Sequence, residues 1–163
     1  MIKIIETPRD GLQGLPRFIS TDRKVAYINK LLKVGFDTVE VGSFVSEKAI
    51  PQMRDTEEVL KRLDVSQSGS KVMVLAGNRR GGEEAATFDV VDRVLYPFSI
   101  SKTFLARNLN SNFDKAKGTV NDLLEICDKS EKELIVYLTM AFGNHYGDPW
   151  SVNMVVDRAG YLA

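Results

Sequence analysis

The sequence predicts an α/β fold built on parallel strands. Short apolar runs alternate with segments of helical period about five times along 163 residues. The runs are nearly continuous in apolar residues, as strands covered on both faces by crossover helices are. Polar residues also gather where such strands end: Arg9, Asp10 and Gln13, then Glu40 and Ser43, then Asn78, then Ser99 and Ser101. Two architectures satisfy these observations, a doubly wound open sheet and part of a (β/α)8 barrel, and both place function at the carboxyl ends of the strands.

Taken in order, Ile2-Lys3-Ile4-Ile5 reads as a first, buried strand, and 15–18 as connecting loop. Ser20-Thr21-Asp22 supplies helix N-cap chemistry. Val25, Ile28, Leu31 and Leu32 follow at helical spacing, and Gly35 is a natural stop. The β-rich run 36–41 ends at Gly42-Ser43. Pro51 breaks the next loop, and Asp55 with Glu58 reads as a capping box for a helix through Val59, Leu60 and Leu63. A third strand spans 71–75, a short helix 83–88 and a fourth strand 90–96. Ala116, Val120, Leu123, Leu124 and Cys127 then mark the clearest amphipathic helix. The fifth strand spans 134–140. Asp148-Pro149 resembles an N-cap with proline at the first helical position, opening a helix that carries Val152, Val155, Val156 and Ala159.

Composition excludes several classes. Lysine plus arginine and aspartate plus glutamate both number 22, so the formal net charge is zero and the charges are interspersed. Non-specific nucleic-acid and anionic-membrane binding need a basic surface, so neither partner is expected. No apolar run approaches a membrane span. Cys127 is the single cysteine, which rules out an internal disulfide framework and a thiolate metal cluster. A soluble, cytoplasmic protein is expected. There is no G-x-G-x-x-G, no P-loop and no G-x-S-x-G elbow, so dinucleotide, nucleotide and serine-hydrolase chemistry are not supported.

The densest chemistry lies in Glu6-Thr7-Pro8-Arg9-Asp10-Gly11-Leu12-Gln13, at the end of the first strand. Glu40 sits between Val39 and Val41 in an apolar strand. A carboxylate there needs a partner, and Arg9 is the candidate. Asp10 admits two readings. It is either one member of a structural Arg–Asp pair or a ligand for a hard divalent cation completed by water and substrate oxygens. In the second case Arg9 would stabilise a developing enolate or carbonyl oxyanion. His145, the single histidine, cannot build a histidine-rich zinc site and reads as a loop residue. Cys127 lies on the apolar helix face and reads as a buried structural thiol. Arg79-Arg80 reads as a solvated pair opening a helix.

The segment 8–13 resembles the 3-hydroxy-3-methylglutaryl-CoA lyases, members of the DRE-TIM metallolyase superfamily. The block Ser43-Phe44-Val45-Ser46-Glu47-Lys48-Ala49-Ile50-Pro51-Gln52-Met53-Arg54-Asp55 resembles a second family segment at the right distance. Over 70–163 the resemblance rests on Asn78, the Asn108/Asn110 region and Tyr137. It implies a TIM barrel, an acyl-CoA substrate, and cleavage of 3-hydroxy-3-methylglutaryl-CoA into acetyl-CoA and acetoacetate with Mg²⁺ or Mn²⁺. Residue by residue, it implies Asp10 as metal ligand, Arg9 as enolate stabiliser, and Gln13, Glu40, Ser43, Asn78 and Tyr137 as substrate contacts. A homo-oligomer is compatible with it.

The departures are equally specific. The family's later H-x-H metal pair, its following asparagine and its catalytic cysteine in a glycine-rich loop have no counterpart here. His145 falls where the family carries a Cys-Pro-Tyr segment; Met140 and Asn144 replace frequent cysteines, and Tyr146 remains. A full barrel takes about 250 residues. Residues 1–163 are therefore expected to form the N-terminal portion of the barrel, about five βα units, and not to catalyse cleavage in isolation. The alternatives are a Claisen-type synthase or aldolase of the same superfamily, and a non-catalytic α/β assembly module.

Overall fold

Every strand after the first pairs in parallel with the strand that precedes it in sequence. The structure, a computed structural model, describes residues 2–163. Its sheet has the order β1 (Ile5–Glu6), β2 (Thr38–Ser43), β3 (Lys71–Leu75), β4 (Arg93–Tyr96) and β5 (Glu133–Val136). A doubly wound sheet reverses its strand order at a switch point. This order has no reversal, so the chain is an arc of a singly wound barrel, and one of the two predicted architectures is settled by topology alone.

The crossovers are helical: α1 (Pro8–Gln13) and α2 (Thr21–Leu31) after β1, then a 3-10 turn (Pro51–Met53) and α3 (Thr56–Lys61) after β2. α4 (Arg79–Ala86) follows β3, α5 (Lys102–Leu109) and α6 (Phe113–Lys129) follow β4, and α7 (Val152–Leu162) follows β5. Alternation along each strand separates two apolar layers. Val39, Val72, Val74, Val94 and Tyr96 face the helices and pack with Ile28, Leu60, Ala85, Leu123 and Cys127. Met73, Leu75 and Leu95 face the concave side, with Val45, Ile135 and Tyr137 against them. Full burial of each such side chain is worth about 1.5–3 kcal/mol.

Glu40 pairs in register with Met73 and so belongs to the concave face, whereas Val39 enters the outer core. The ladder shifts register between Glu40 and Gly42, and the Ser43 amide then donates to Thr56 Oγ1 at 3.1 Å. At the opposite end of the strands Arg93 closes the concave side. It donates to Asp37 Oδ2 and Glu133 Oε2, both at 2.6 Å, and to Thr38 Oγ1.

Several local expectations are corrected. The first strand is only Ile5–Glu6, and Ile2 and Ile4 are exposed. Among the described residues it pairs with β2. α4 starts at Arg79, earlier than expected, because Asn78 Oδ1 accepts from the Gly81 amide and nucleates the turn there. α5 was not expected; Ser101 Oγ caps it by accepting from the Phe104 amide, and Asn110 ends it in the left-handed region. The Asp55 capping box does not form, since that carboxylate is drawn to Thr21 and Lys24 instead. Asp148 does not cap α7, which Ser151 caps; Asp148 reaches back to Ser101 and Thr103. Gly35 does end the α2 unit, with φ +95.

Candidate active site

Pro8 starts α1 immediately after β1 and sets its φ. That short helix lays Arg9 across the carboxyl end of β2. Arg9 Nε donates to Glu40 Oε1 at 2.7 Å, and Nη2 lies 2.6 Å from the same oxygen. Nη1 donates to Asp10 Oδ1 at 3.1 Å and to Gln13 Oε1 at 2.8 Å. A guanidinium has five N–H donors. Hydrogen bonds commit three of them, one on Nε and two on Nη1, while Nη2 makes the ion-pair contact with Glu40.

Burial sets the electrostatics. The Glu40 side chain has no exposed surface and that of Arg9 is 7% exposed, whereas Asp10 is 66% exposed. Desolvation pushes the Glu40 carboxyl above the usual range, the Arg9 charge and hydrogen bond act against this, and the Asp10 charge adds to it. Glu40 Oε2 is buried with no partner. Burial likewise raises the Tyr137 phenol, and the nearby Glu40 charge reinforces the shift.

Arg9, Asp10, Gln13, Glu40 and Tyr137 line one cavity of about 590 Å³ on the concave side. This size suits a small-molecule site. Phe104, Arg107 and Asn108 from α5 line it too, as do Thr139 and Met140 after β5. The sequence reading missed Phe104, Arg107, Thr139 and Met140, and the Ser101 cap before Phe104 was the available signal for α5. Two proposed residues lie elsewhere. Ser43 is buried, with Oγ accepting from the Val45 amide, and lines a neighbouring cleft with Arg54 and Glu57. Asn78 is exposed and its side chain is the α4 cap.

His145 is exposed in the loop after β5, its ring 3.9 Å from that of Tyr146. The Tyr146 hydroxyl accepts from Asn108 Nδ2 at 3.3 Å. Cys127 is buried in the outer core, its thiol pushed up to about 11 first by burial and then by the Asp128 charge. Neither residue lines the cavity.

Among the described residues no three His, Cys, Asp or Glu side chains come together as a metal group. Among the described residues Asp10 is the one exposed carboxylate lining the cavity, because Glu40 is committed to Arg9 and buried. Such a set can contribute one ligand but does not by itself fit a divalent ion.

The concave arc recurs in known proteins. The HMGL-like family model matches residues 1–161. The hydroxymethylglutaryl-CoA lyase of Bacillus subtilis is 30% identical over 149 residues, 91% of this chain and 49% of that protein. The human mitochondrial hydroxymethylglutaryl-CoA lyase is 32% identical over 146 residues, 89% of this chain and 44% of its own length. Among solved structures, an HMG-CoA lyase from Acinetobacter baumannii, in complex with coenzyme A and 3-methylmalate, superposes with a TM-score of 0.91 at 27% identity. It covers 99% of this chain and 52% of that one. The Bacillus subtilis HMG-CoA lyase structure gives the same TM-score at 30% identity, over 99% and 54%. The chain thus spans about half the length of the relatives it matches. With nearly its whole length matched by the family model and its sheet superposing on these TIM-barrel lyases, this chain belongs to the HMGL-like family.

Proposed function

We propose that the cavity is the enolate-stabilising wall of a carbon–carbon lyase that splits 3-hydroxy-3-methylglutaryl-CoA into acetyl-CoA and acetoacetate. The observation that carries this reading is Arg9. It is buried, oriented by Glu40, and lines a cavity of ligand size with its Nη2 group outside the hydrogen bonds made by Nε and Nη1. In this reaction the C3 hydroxyl loses its proton and C3 becomes the ketone of acetoacetate. The C2–C3 electron pair passes into the thioester carbonyl, giving the enolate of acetyl-CoA, which then takes up a proton at C2. Charge develops on the thioester oxygen, and a preorganised guanidinium donor there acts where charge appears. Glu40 holds that guanidinium without needing to reorganise, its second oxygen remaining buried and unpartnered.

Asp10 is the carboxylate this chain would contribute to a Mg²⁺ or Mn²⁺ ion, which would supply Lewis-acid polarisation of substrate oxygens. Gln13 and Tyr137 are the proposed substrate contacts within the cavity; Ser43 and Asn78 are proposed contacts beyond it. Support for an acyl-CoA comes from the 0.91 superposition on a lyase that holds coenzyme A.

The test offers the purified chain 3-hydroxy-3-methylglutaryl-CoA with excess Mg²⁺ and follows both binding and acetyl-CoA release. Binding without release is expected, since the described residues supply a single exposed carboxylate to the ion. Failure to bind the thioester contradicts the reading. Condensation of acetyl-CoA with 2-oxo acids would favour a synthase instead.

A further inference from the structure

We propose that Gln52 is a positioning residue for the Arg9 wall, acting by gripping the segment through which the chain leaves α1. α1 has six residues, no side-chain bond at its N-cap, and only Pro8 and Arg9 buried. A helix this short does not hold itself together. Asp10, Gly11 and residues 13–17 are exposed, so apolar burial does not hold it either. Polar ties do.

Gln52 is buried in the 3-10 turn after β2 and uses its whole side-chain amide on that exit segment. Its Oε1 accepts from the Ile19 amide at 3.1 Å. Its Nε2 donates to the carbonyls of Leu15 at 2.9 Å and Arg17 at 2.6 Å. Three backbone groups of an exposed loop are thereby satisfied by one side chain. Glutamate could not make the two donations, and asparagine is one methylene too short to reach.

Gln52 is itself anchored. Its carbonyl accepts from Lys24 Nζ, which also donates to Asp55 Oδ1 at 2.6 Å. Asp55 Oδ2 accepts from Thr21 Oγ1 at 2.7 Å. The Phe18 ring meets two cations, its centroid 4.2 Å from Lys24 Nζ and 3.7 Å from the Arg54 guanidinium. The first turn of α2, the 3-10 turn and the start of α3 thus form one base. Gln52 transmits its position to residues 15–19, two residues beyond Gln13. Gln13 in turn accepts from Arg9 Nη1, so the grip sets where the guanidinium sits. The role rests on the reading of Arg9 given above.

The test is hydrogen exchange at the Arg9 Nε–H, followed by ¹⁵N NMR, in the whole chain. Gln52→Leu and Gln52→Glu are compared with Val120→Ala, a core truncation on α6 remote from α1. Urea denaturation places the three variants on a common stability scale. In both Gln52 variants the Nε–H is expected to exchange at least about tenfold faster than in Val120→Ala at matched stability, reflecting loss of its hydrogen-bonded geometry. Equal exchange overturns the proposal. So does failure of both Gln52 variants to fold, because Gln52 would then support the whole fold rather than one wall; if only Gln52→Leu fails, Gln52→Glu decides. No substrate enters the measurement, so an absence of thioester binding would remove the functional reading and leave this result standing.

Discussion

Arg9 sets two nitrogens, Nε at 2.7 Å and Nη2 at 2.6 Å, against a single oxygen of Glu40 and leaves the other oxygen unpartnered. A fork matched to both oxygens would be the stronger static pair. The observed arrangement instead spends the carboxylate on orienting the guanidinium.

Breaking this pair from the arginine side should be expensive. Arg9→Met leaves a buried carboxylate uncompensated and should cost about 3–5 kcal/mol, read from urea denaturation. The pH dependence has a defined sign. Glu40 already titrates above the usual range because of burial, so its favourable contribution is present at low pH and fades as pH rises through that value. Removing Arg9 raises the carboxyl further. The deficit of Arg9→Met should therefore be largest at neutral pH and shrink as the pH falls towards the ordinary carboxylate range.

Asp148 should show the opposite sign. Hydrogen bonds from the Ser101 hydroxyl first, and then from the Thr103 amide, hold its carboxyl below the usual range. Its contribution is present above the unfolded value and lost as pH falls through the lowered one. Asp148→Asn should therefore melt below the parent at neutral pH, with the difference closing in acid.

Two glycines should respond oppositely to alanine. A Cβ at Gly118 in the middle of α6 meets nothing within 4 Å. Gly118→Ala should stabilise by about 0.5–1 kcal/mol through helix propensity. At Gly81 a Cβ would lie 2.6 Å from the Phe44 carbonyl oxygen, which is backbone and cannot step aside. Gly81→Ala should destabilise by about 1–3 kcal/mol, both changes being measured by chemical denaturation.

The Cys127 thiol, buried in the outer core and pushed up to about 11, should resist labelling by a disulfide reagent at neutral pH until the chain unfolds. Fast labelling under native conditions would contradict its placement.

Much of this was legible because it depends on periodicity and local chemistry. The alternation of apolar runs with helical segments predicted the parallel sheet, and the isolated Glu40 between two valines predicted its Arg9 partner. The βα pattern alone does not give strand order, since a barrel arc and a doubly wound sheet share it and differ only in which strands meet; the barrel came from the resemblance carried by 8–13 and 43–55, and the strand order bears it out. The missed features are long-range polar bonds. Asp55 and Asp148 each sit where a cap is expected, yet their carboxylates bind residues 31 or more positions away. Lys24, a charged residue in the first turn of α2, is drawn inside by Gln52 and Asp55. Ser43 and Asn78 came from motif resemblance, and backbone bonding places one beside Val45 and the other on the α4 cap.

In the proposed reaction Arg9 faces the acyl thioester. Calorimetric titration of 3-hydroxy-3-methylglutaryl-CoA, in excess Mg²⁺, into the chain and into Arg9→Lys tests it most directly. The lysine keeps a charge beside Glu40 but loses the planar donors. The substitution should weaken thioester binding by about tenfold or more, the worth of a charged hydrogen bond, while affinity for coenzyme A itself stays unchanged. Equal thioester affinity for the two proteins would contradict it.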